Sequence, residues 1–144
     1  MISIGGLAPS DREVWEDLFR GYIDFYRRTE PPEMYERAWR EFQAGTRMHA
    51  FGAKLDGRLV GIAHFFVHPS TSSTDVCYLQ DLFTVPEARG HGIGRALIDA
   101  VEAWARDREC FRLYWMTQTA NATARRLYDQ VAKDPGFMKY QIDL

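Results

Sequence analysis

The sequence has few cysteines and no grouping of residues typical of a metal site. It holds two cysteines in 144 residues, Cys77 and Cys110, and neither lies in a Cys-x-x-Cys or Cys/His ligand spacing. We therefore expect two small buried thiols in a reducing compartment, the cytoplasm, rather than a disulfide or a catalytic thiol. The four histidines are scattered without ligand spacing, so no metal is predicted and each is read as core or surface.

Long apolar runs and a strong charge of either sign are also missing. Residues 1–6 show no basic region followed by an apolar stretch, which predicts no signal peptide, and no segment reaches the length of a membrane span. The formal net charge of −2 at pH 7 produces no field that attracts polyanions. We therefore expect neither a nucleic-acid partner nor a membrane partner.

Apolar and aromatic residues are plentiful, which predicts a folded domain. They make up 46% and 14% of the chain, and a length of 144 residues suits one domain spanning residues 1–144. Stretches with helical and with strand periodicity succeed one another along the chain. This succession predicts an α/β protein with a mixed sheet.

The first half of the chain predicts two helices followed by a hairpin. Ser10 and Glu13 have the spacing of a capping box at the start of the first helix, and Gly45 ends the second. Residues 48–55 and 58–67 flank Asp56-Gly57, a pair suited to the positive φ angles of a two-residue turn.

The second half predicts a strand, a glycine-rich turn and a helix, and then a strand, a helix and a strand. The predicted elements are a strand at 75–85, a helix at about 92–108, a strand at 111–117, a helix capped by Asn121 and a last strand at 137–142. Strand, turn, helix and strand imply a right-handed crossover between parallel strands, whereas the hairpin is antiparallel.

The strongest chemical signal is the turn Arg89-Gly90-His91-Gly92-Ile93-Gly94 between a strand and a helix. Its glycines allow a close approach of the backbone to a ligand, and the free N–H groups of the helix start attract an anion. Arg89 and Arg95 add positive charge. A dinucleotide motif would need glycine at position 95, and a Walker A loop would need Lys after Gly94. The turn therefore predicts a phosphate or diphosphate site of another kind.

The segment 79–97, Leu-Gln-Asp-Leu-Phe-Thr-Val-Pro-Glu-Ala-Arg-Gly-His-Gly-Ile-Gly-Arg-Ala-Leu, resembles the acetyl-CoA signature of the GNAT N-acetyltransferases. The order of elements fits over nearly the whole chain, although the N-terminal third matches only in pattern. The resemblance implies a mixed, mostly antiparallel sheet whose fourth and fifth strands are parallel and splayed around the cofactor, and about four helices. The pattern is similar to the branch of diamine acetyltransferases and fungal histone and amino-acid acetyltransferases.

The resemblance implies acetyl-CoA as co-substrate and assigns residues to it. Main-chain N–H groups of the turn would hold the diphosphate, the backbone of the preceding strand would pair with the pantetheine arm, and an asparagine would bond to the cofactor. The cofactor-binding residues implied in this way are Leu82, Phe83, Val85, Arg89, Gly90, His91, Gly92, Ile93, Gly94, Arg95 and Asn121.

The resemblance also implies two catalytic residues, each with a structural alternative. Tyr128 would protonate the departing thiolate as a general acid, although a core tyrosine beside Leu127 has the same helical spacing. Related diamine enzymes carry glutamate where this chain has Gln80, which cannot act as a base. Asp81 is then the nearest carboxylate, as base or as a residue that bonds backbone or orients substrate. A water chain, or an amine that is already partly neutral, would also allow attack.

The acceptor is predicted to be a primary amine of a small molecule or peptide. Tyr22 and Tyr26, at the end of the first helix, and Tyr78 and Gln80, on the central strand, are the predicted acceptor-side residues, with core packing as the alternative for the two helix tyrosines. Two other functions stay open: a non-catalytic acyl-CoA-binding module and a protein lysine or N-terminal acetyltransferase. A homodimer is expected from the resemblance.

Overall fold

The computed structural model describes residues 1–144, which form one five-stranded sheet and four α-helices. The strands are β1 (Ile2–Gly5), β2 (His49–Leu55), β3 (Arg58–His68), β4 (Val76–Thr84) and β5 (Arg112–Tyr114). The helices are α1 (Arg12–Phe25), α2 (Pro32–Ala44), α3 (Ile93–Asp107) and α4 (Ala122–Val131). None of these helices combines the length and the apolar character of a bilayer span.

The strands lie in the sheet in chain order, from β1 to β5. Each neighbouring pair is antiparallel except β4 and β5, which are parallel and joined through α3. The predicted mixed, mostly antiparallel sheet with a single parallel pair is therefore confirmed, as is the number of helices.

Two predicted turns are confirmed by their backbone angles. Asp56 and Gly57 have φ of 52° and 86°, the positive values that a tight hairpin turn between β2 and β3 requires. Gly45 has a φ of 64° and its N–H bonds to the Glu41 carbonyl, so it ends α2 in the left-handed conformation.

The core consists of two hydrophobic clusters, one on each face of the sheet. Helix α3 covers the first face, and Gly61 of β3 permits its close approach, because a Cβ there would lie 2.7 Å from Ile93. Helices α1 and α2 cover the second face, where the large buried side chains are Trp15, Leu18, Phe19, Ile23, Tyr35, Phe42 and Ile62. Strand β4 lies between the two helical layers, so its side chains pack alternately against one layer or the other.

The predicted capping box at the start of the first helix is wrong. Pro9–Asp11 forms a single 3₁₀ turn, and the Asp11 carboxylate accepts a hydrogen bond from the Ala8 N–H at 2.8 Å. Because Pro9 starts this turn earlier than the predicted cap, Ser10 has no capping role and α1 begins at Arg12.

The predicted last strand is also wrong, and the strand before it is shorter than predicted. Strand β5 covers only Arg112–Tyr114 of the predicted 111–117. Residues 137–142 form no strand, because the sheet ends at β5 and no neighbouring backbone accepts their hydrogen bonds. The apolar side chains of this C-terminal segment are exposed: Phe137, Met138, Tyr140, Ile142 and Leu144.

Candidate active site

The parallel strands β4 and β5 separate after a short paired stretch. They pair only between Val76–Tyr78 and Arg112–Tyr114, whereas β4 continues to Thr84. Beyond Tyr78, one edge of β4 therefore has no partner strand, although its other edge stays bonded to β3. An open edge of this kind offers main-chain donors and acceptors to an extended ligand.

The register with β3 decides which groups of β4 point to the open edge. The Val85 N–H donates to the Val60 carbonyl at 2.9 Å. Since antiparallel partners alternate between bonded and non-bonded pairs, Phe83 directs its main-chain groups toward β3. Leu82 and Thr84 direct theirs toward the open edge.

This register changes the predicted set of strand residues. The main-chain groups of Leu82 lie at the open edge, as its predicted role requires, whereas those of Phe83 point to β3. Val85 has both main-chain groups in use, because its carbonyl also accepts from the Ala88 N–H at 3.0 Å in the 3₁₀ turn that begins there. Thr84 was not predicted. Because every second residue of a strand faces the same edge or side, counting two residues on from Leu82 would have indicated Thr84.

The turn between β4 and α3 presents a row of unpaired main-chain donors. No N–H from Gly90 to Arg95 donates a hydrogen bond within the protein, and the first that does so is that of Ala96, to the Gly92 carbonyl at 3.0 Å. Gly90 and Gly92 have φ of 83° and 77°. The first turn of α3 has no acidic side chain, so nothing offsets the positive end of the helix dipole. This is the geometry that an anion site requires.

The glycines of this turn are not required by close packing. A Cβ on Gly90 or Gly92 would meet no atom within 4 Å, and one on Gly94 would meet only the Leu127 side chain, at 3.3 Å. Their positive φ angles explain Gly90 and Gly92. The space in front of the turn is open, and a diphosphate-sized ligand has access to the donors.

Side chains at the turn fix its backbone. Arg89 Nε donates to the Thr84 carbonyl at 3.2 Å, which places a guanidinium where the open strand edge meets the turn. His91 Nδ1 donates to the Ala88 carbonyl at 3.1 Å. Arg95 is exposed on the first turn of α3.

Helix α4 carries Asn121 at its N-terminus and packs Tyr128 against Trp115, just after β5. The Asn121 Oδ1 accepts from the Ala124 N–H at 3.3 Å, so this side chain caps the helix and keeps its amide hydrogens free. The Tyr128 ring packs edge-on against Trp115, with ring centres 5.4 Å apart. Burial raises the pKa of Tyr128 to about 12, with a smaller contribution from Tyr26. Its hydroxyl is therefore a proton donor at neutral pH.

A bulge in β4 sets which side chains face α1. His64 pairs with Asp81 but Phe65 pairs with Leu79, which leaves Gln80 opposite no residue of β3. Asp81 thereby shares the α1 face with Tyr78, whereas strict alternation would have placed Gln80 there. The Gln80 side chain is exposed, and its carbonyl accepts from the Tyr22 hydroxyl at 3.4 Å.

His64 contacts Asp81 and was not predicted to have a role in the site. Its Nδ1 lies 2.9 Å from Asp81 Oδ2, and its Nε2 lies 3.0 Å from the indole nitrogen of Trp15. The ring is fully buried, as predicted for a core histidine, but both of its nitrogens are engaged. Sequence carried no signal for this contact, because the partners are 17 and 49 residues away.

Three tyrosines line the space around Asp81. The Tyr22 and Tyr26 rings lie 5.0 Å apart on α1, and Tyr78 stacks on Tyr114 at 4.8 Å. Burial raises the pKa of Tyr22, Tyr26 and Tyr78, and the charge of Asp81 adds to each shift. These hydroxyls therefore stay neutral around one carboxylate. The predicted acceptor-side residues thus lie around Asp81, with Gln80 contributing its main chain at the bulge. Tyr26 also interacts with Tyr128, the other predicted catalytic residue.

A parallel strand pair that opens beside a helix start with unpaired N–H groups, with a neutral tyrosine and a carboxylate on the neighbouring elements, is the arrangement expected of an acyl-CoA-dependent N-acyltransferase. Residues 15–132 match the Acetyltransferase (GNAT) family, and the chain belongs to this family. The family resemblance found in segment 79–97 is thereby confirmed.

Individual relatives agree with this assignment. The chain is 32% identical to the D-amino-acid N-acetyltransferase HPA3 of Saccharomyces cerevisiae over 91% of its own length and 84% of that protein. It is 28% identical to the N-acetyltransferase YhfO of Bacillus subtilis over 99% and 98%. The aminoglycoside acetyltransferase AAC(6')-Iy, solved with a CoA-linked bisubstrate analogue, has the same fold, with a TM-score of 0.88 at 18% identity and coverage of 100% and 99%.

Proposed function

We propose that this protein transfers an acetyl group from acetyl-CoA to a primary amine of a small molecule or peptide, by direct attack in a ternary complex. The observation that carries the proposal is the row of unpaired N–H groups from Gly90 to Arg95, next to the open edge of β4. Asp81 and Tyr128 stand around the same opening. One continuous site would then hold the cofactor and the acceptor.

The donor set fits the chemical groups of acetyl-CoA. The unpaired N–H groups of the turn suit a diphosphate, and Arg89 and Arg95 suit its charge. The main-chain groups of Leu82 and the N–H of Thr84 suit the amides of a pantetheine arm, and the free amide of Asn121 is a further donor. When bound, acetyl-CoA supplies the activated acetyl thioester.

Asp81 is proposed to accept a proton from the acceptor. An amine reaches the site as an ammonium, which has no lone pair and cannot attack a carbonyl. The Asp81 carboxylate takes one N–H proton, leaving the neutral amine and the protonated acid. The tyrosine walls support a cationic acceptor, because aromatic faces attract ammonium groups.

Tyr128 and the backbone of β4 are proposed to stabilise charge during transfer. The N–H of Leu82 points to the open edge and is placed to donate to a developing oxyanion. The Tyr128 hydroxyl, with its raised pKa, holds a proton for the departing thiolate.

The relatives indicate small-molecule amines as acceptors. HPA3 is named for D-amino acids, and an aminoglycoside N(6')-acetyltransferase of Klebsiella aerogenes is 36% identical over 48% of this chain. We propose an acceptor of that kind, a compact molecule with a primary amine, for the cytoplasmic enzyme.

The test combines calorimetry and turnover. We expect acetyl-CoA to bind the wild-type protein and a coupled thiol assay to detect turnover with at least one of D-phenylalanine, kanamycin, spermidine or a lysine peptide. Binding without turnover of any amine would favour the alternative, a non-catalytic acyl-CoA-binding module, to which Gln80 in place of glutamate lends support. Absence of acetyl-CoA binding would refute both. Turnover of the peptide alone would favour a protein acetyltransferase.

We also propose that the protein is a homodimer. The exposed apolar side chains of residues 137–144 support it, since an apolar segment of this size is rarely left in water. Sedimentation equilibrium is expected to give twice the mass of 16.7 kDa. A monomer at micromolar concentration would contradict the proposal.

A further inference from the structure

Both nitrogens of the buried His64 ring are hydrogen-bonded, and these two contacts determine the tautomer of the neutral ring. The indole N–H of Trp15 only donates, so the His64 Nε2 facing it at 3.0 Å must accept. The proton of the neutral ring is then on Nδ1, which donates to Asp81 Oδ2 at 2.9 Å. A doubly protonated ring would set two N–H groups against each other. The contact with Trp15 thus selects one tautomer.

Aromatic packing fixes the plane of this imidazole. Phe42 of α2 stacks on it with ring centres 4.4 Å apart, and Phe19 of α1 meets it edge-on at 4.7 Å. The ring is fully buried, so water has no access to either nitrogen. His64 is therefore rigid in position as well as in tautomer.

The Asp81 carboxylate lies at the boundary between this rigid cluster and the acceptor space. Its side chain is 13% exposed, and Oδ2 is bonded to His64 at 2.9 Å. Oδ1 has no bond of comparable length, and the Tyr22 hydroxyl on the acceptor side is the other protein group that interacts with this carboxylate. The bulge at Gln80 is what turns Asp81 toward His64. One oxygen is held from the core side, and the other is left for a ligand.

We propose that Trp15 and His64 are positioning residues for Asp81, which aim its Oδ1 at the acceptor ammonium. Trp15 holds His64 in the Nδ1-protonated form, and His64 holds Asp81 Oδ2. Because Nε2 already accepts from Trp15, a proton taken up by Asp81 cannot pass into the core. It leaves through Oδ1 to solvent. This assignment rests on the proposed function, in which Asp81 accepts the proton of the amine.

Nuclear magnetic resonance of the ¹⁵N-labelled wild-type protein tests the tautomer without any substrate. We expect the His64 spectrum to show a protonated Nδ1 and a bare Nε2. In Trp15→Phe the donor to Nε2 is lost, and a second tautomer should appear. Trp39→Phe is the matched control, because the Trp39 ring packs on Trp15 at 5.0 Å but its indole nitrogen donates no bond to His64. A protonated Nε2 in the wild-type protein would overturn the proposal.

Kinetics with the panel amine that the wild-type enzyme turns over fastest test the effect on Asp81. His64→Leu removes the donor to Oδ2 but fills the buried space, and we expect kcat/KM for the amine to fall about 10- to 100-fold. His64→Asn retains an N–H donor near the Nδ1 position and should recover part of the loss. The Kd for acetyl-CoA should stay within twofold in both. A purely structural role predicts equal losses in the two variants, and kcat/KM within twofold of wild type in His64→Leu would overturn the proposal.

The outcomes of these experiments distinguish a failure of the positioning role from a failure of the proposed function. If the wild-type protein binds acetyl-CoA but acetylates no amine, the proposed function fails and the positioning role fails with it, whatever the tautomer. If it acetylates amines and His64→Leu is unimpaired, only the positioning role fails.

Discussion

The proposed cofactor side and the proposed acceptor side of the candidate active site are built in different ways. The cofactor side is made of main-chain groups from one continuous segment, Leu82 to Arg95, so a strand, a turn and a helix start create it. The acceptor side is made of side chains from α1, β3 and β4, such as Tyr22, His64 and Asp81, which meet only in the folded protein. Local sequence therefore encodes the first side, whereas the second depends on tertiary packing.

This difference predicts which property a substitution on each side changes. A substitution in the glycine turn acts on main-chain N–H donors that no other segment replaces. A single such substitution should therefore abolish cofactor binding. A change on the acceptor side acts through orientation, burial and proton position, so its effects should be graded and should fall on kcat more than on cofactor affinity.

The largest effect is expected from Gly92→Glu. Its φ of 77° disfavours any side chain, and the new carboxylate would lie among the unpaired N–H groups that are proposed to hold a diphosphate. A like-charge contact of this kind costs several kcal/mol, and a loss of about 4 kcal/mol lowers affinity about 1000-fold. Isothermal titration with acetyl-CoA measures it.

The control for this variant is Gly57→Glu in the hairpin turn. Gly57 has a φ of 86° and equally open surroundings, so the backbone strain is similar but no anion site is present. If both variants lose acetyl-CoA equally, strain explains the loss and the turn is no diphosphate site.

The next effect is expected from Tyr128→Phe, which removes the proposed general acid. We expect kcat to fall about 100-fold, the lower range of general acid catalysis, with the KM for acetyl-CoA unchanged. Steady-state kinetics measure both constants. Tyr140→Phe, on the exposed C-terminal segment, should match wild type. A kcat within twofold of wild type in Tyr128→Phe would leave Tyr128 as a packing residue.

Much of the fold was predictable because its signals are local. The Asp56-Gly57 pair, Gly45 and the cap at Asn121 each depend on residues within one turn, and all three appear as predicted. The last strand failed for the opposite reason. Its apolar pattern over 137–142 was correct for a strand, but a strand also needs a neighbouring backbone, and β5 offers only three residues.

The same distinction separates the predicted site residues. The glycine turn was predicted from its spacing and the strand edge from the family resemblance, with Phe83 and Val85 excluded and Thr84 added once the register with β3 was known. The contact of His64 with Asp81 depends on a bulge and on packing between distant elements. The periodicity of a sequence carries no information on bulges or on packing between distant elements, so no spacing indicated the contact of His64 with Asp81.

A third effect concerns stability at high pH. The folded-state pKa of Tyr128, about 12, lies above the ordinary value near 10, because burial penalises the phenolate. The contribution is fully present below pH 10 and is lost as the pH rises toward 12, an amount of about 2 kcal/mol. Urea unfolding of wild type and Tyr128→Phe at pH 8 and pH 11 measures it. The variant should lose less stability between the two, and equal losses would contradict the burial of this hydroxyl.

The smallest effect is expected at Asn121, which is both a helix cap and a proposed cofactor contact outside the segment 82–95. Asn121→Ala should lower the free energy of unfolding by about 1 kcal/mol, because the Ala124 N–H loses its acceptor. Asn121→Asp keeps that acceptor but lacks the amide hydrogens. Acetyl-CoA affinity that falls in both variants, with stability lost only in the alanine variant, would separate the two roles. Affinity retained in Asn121→Asp would reduce Asn121 to a helix cap.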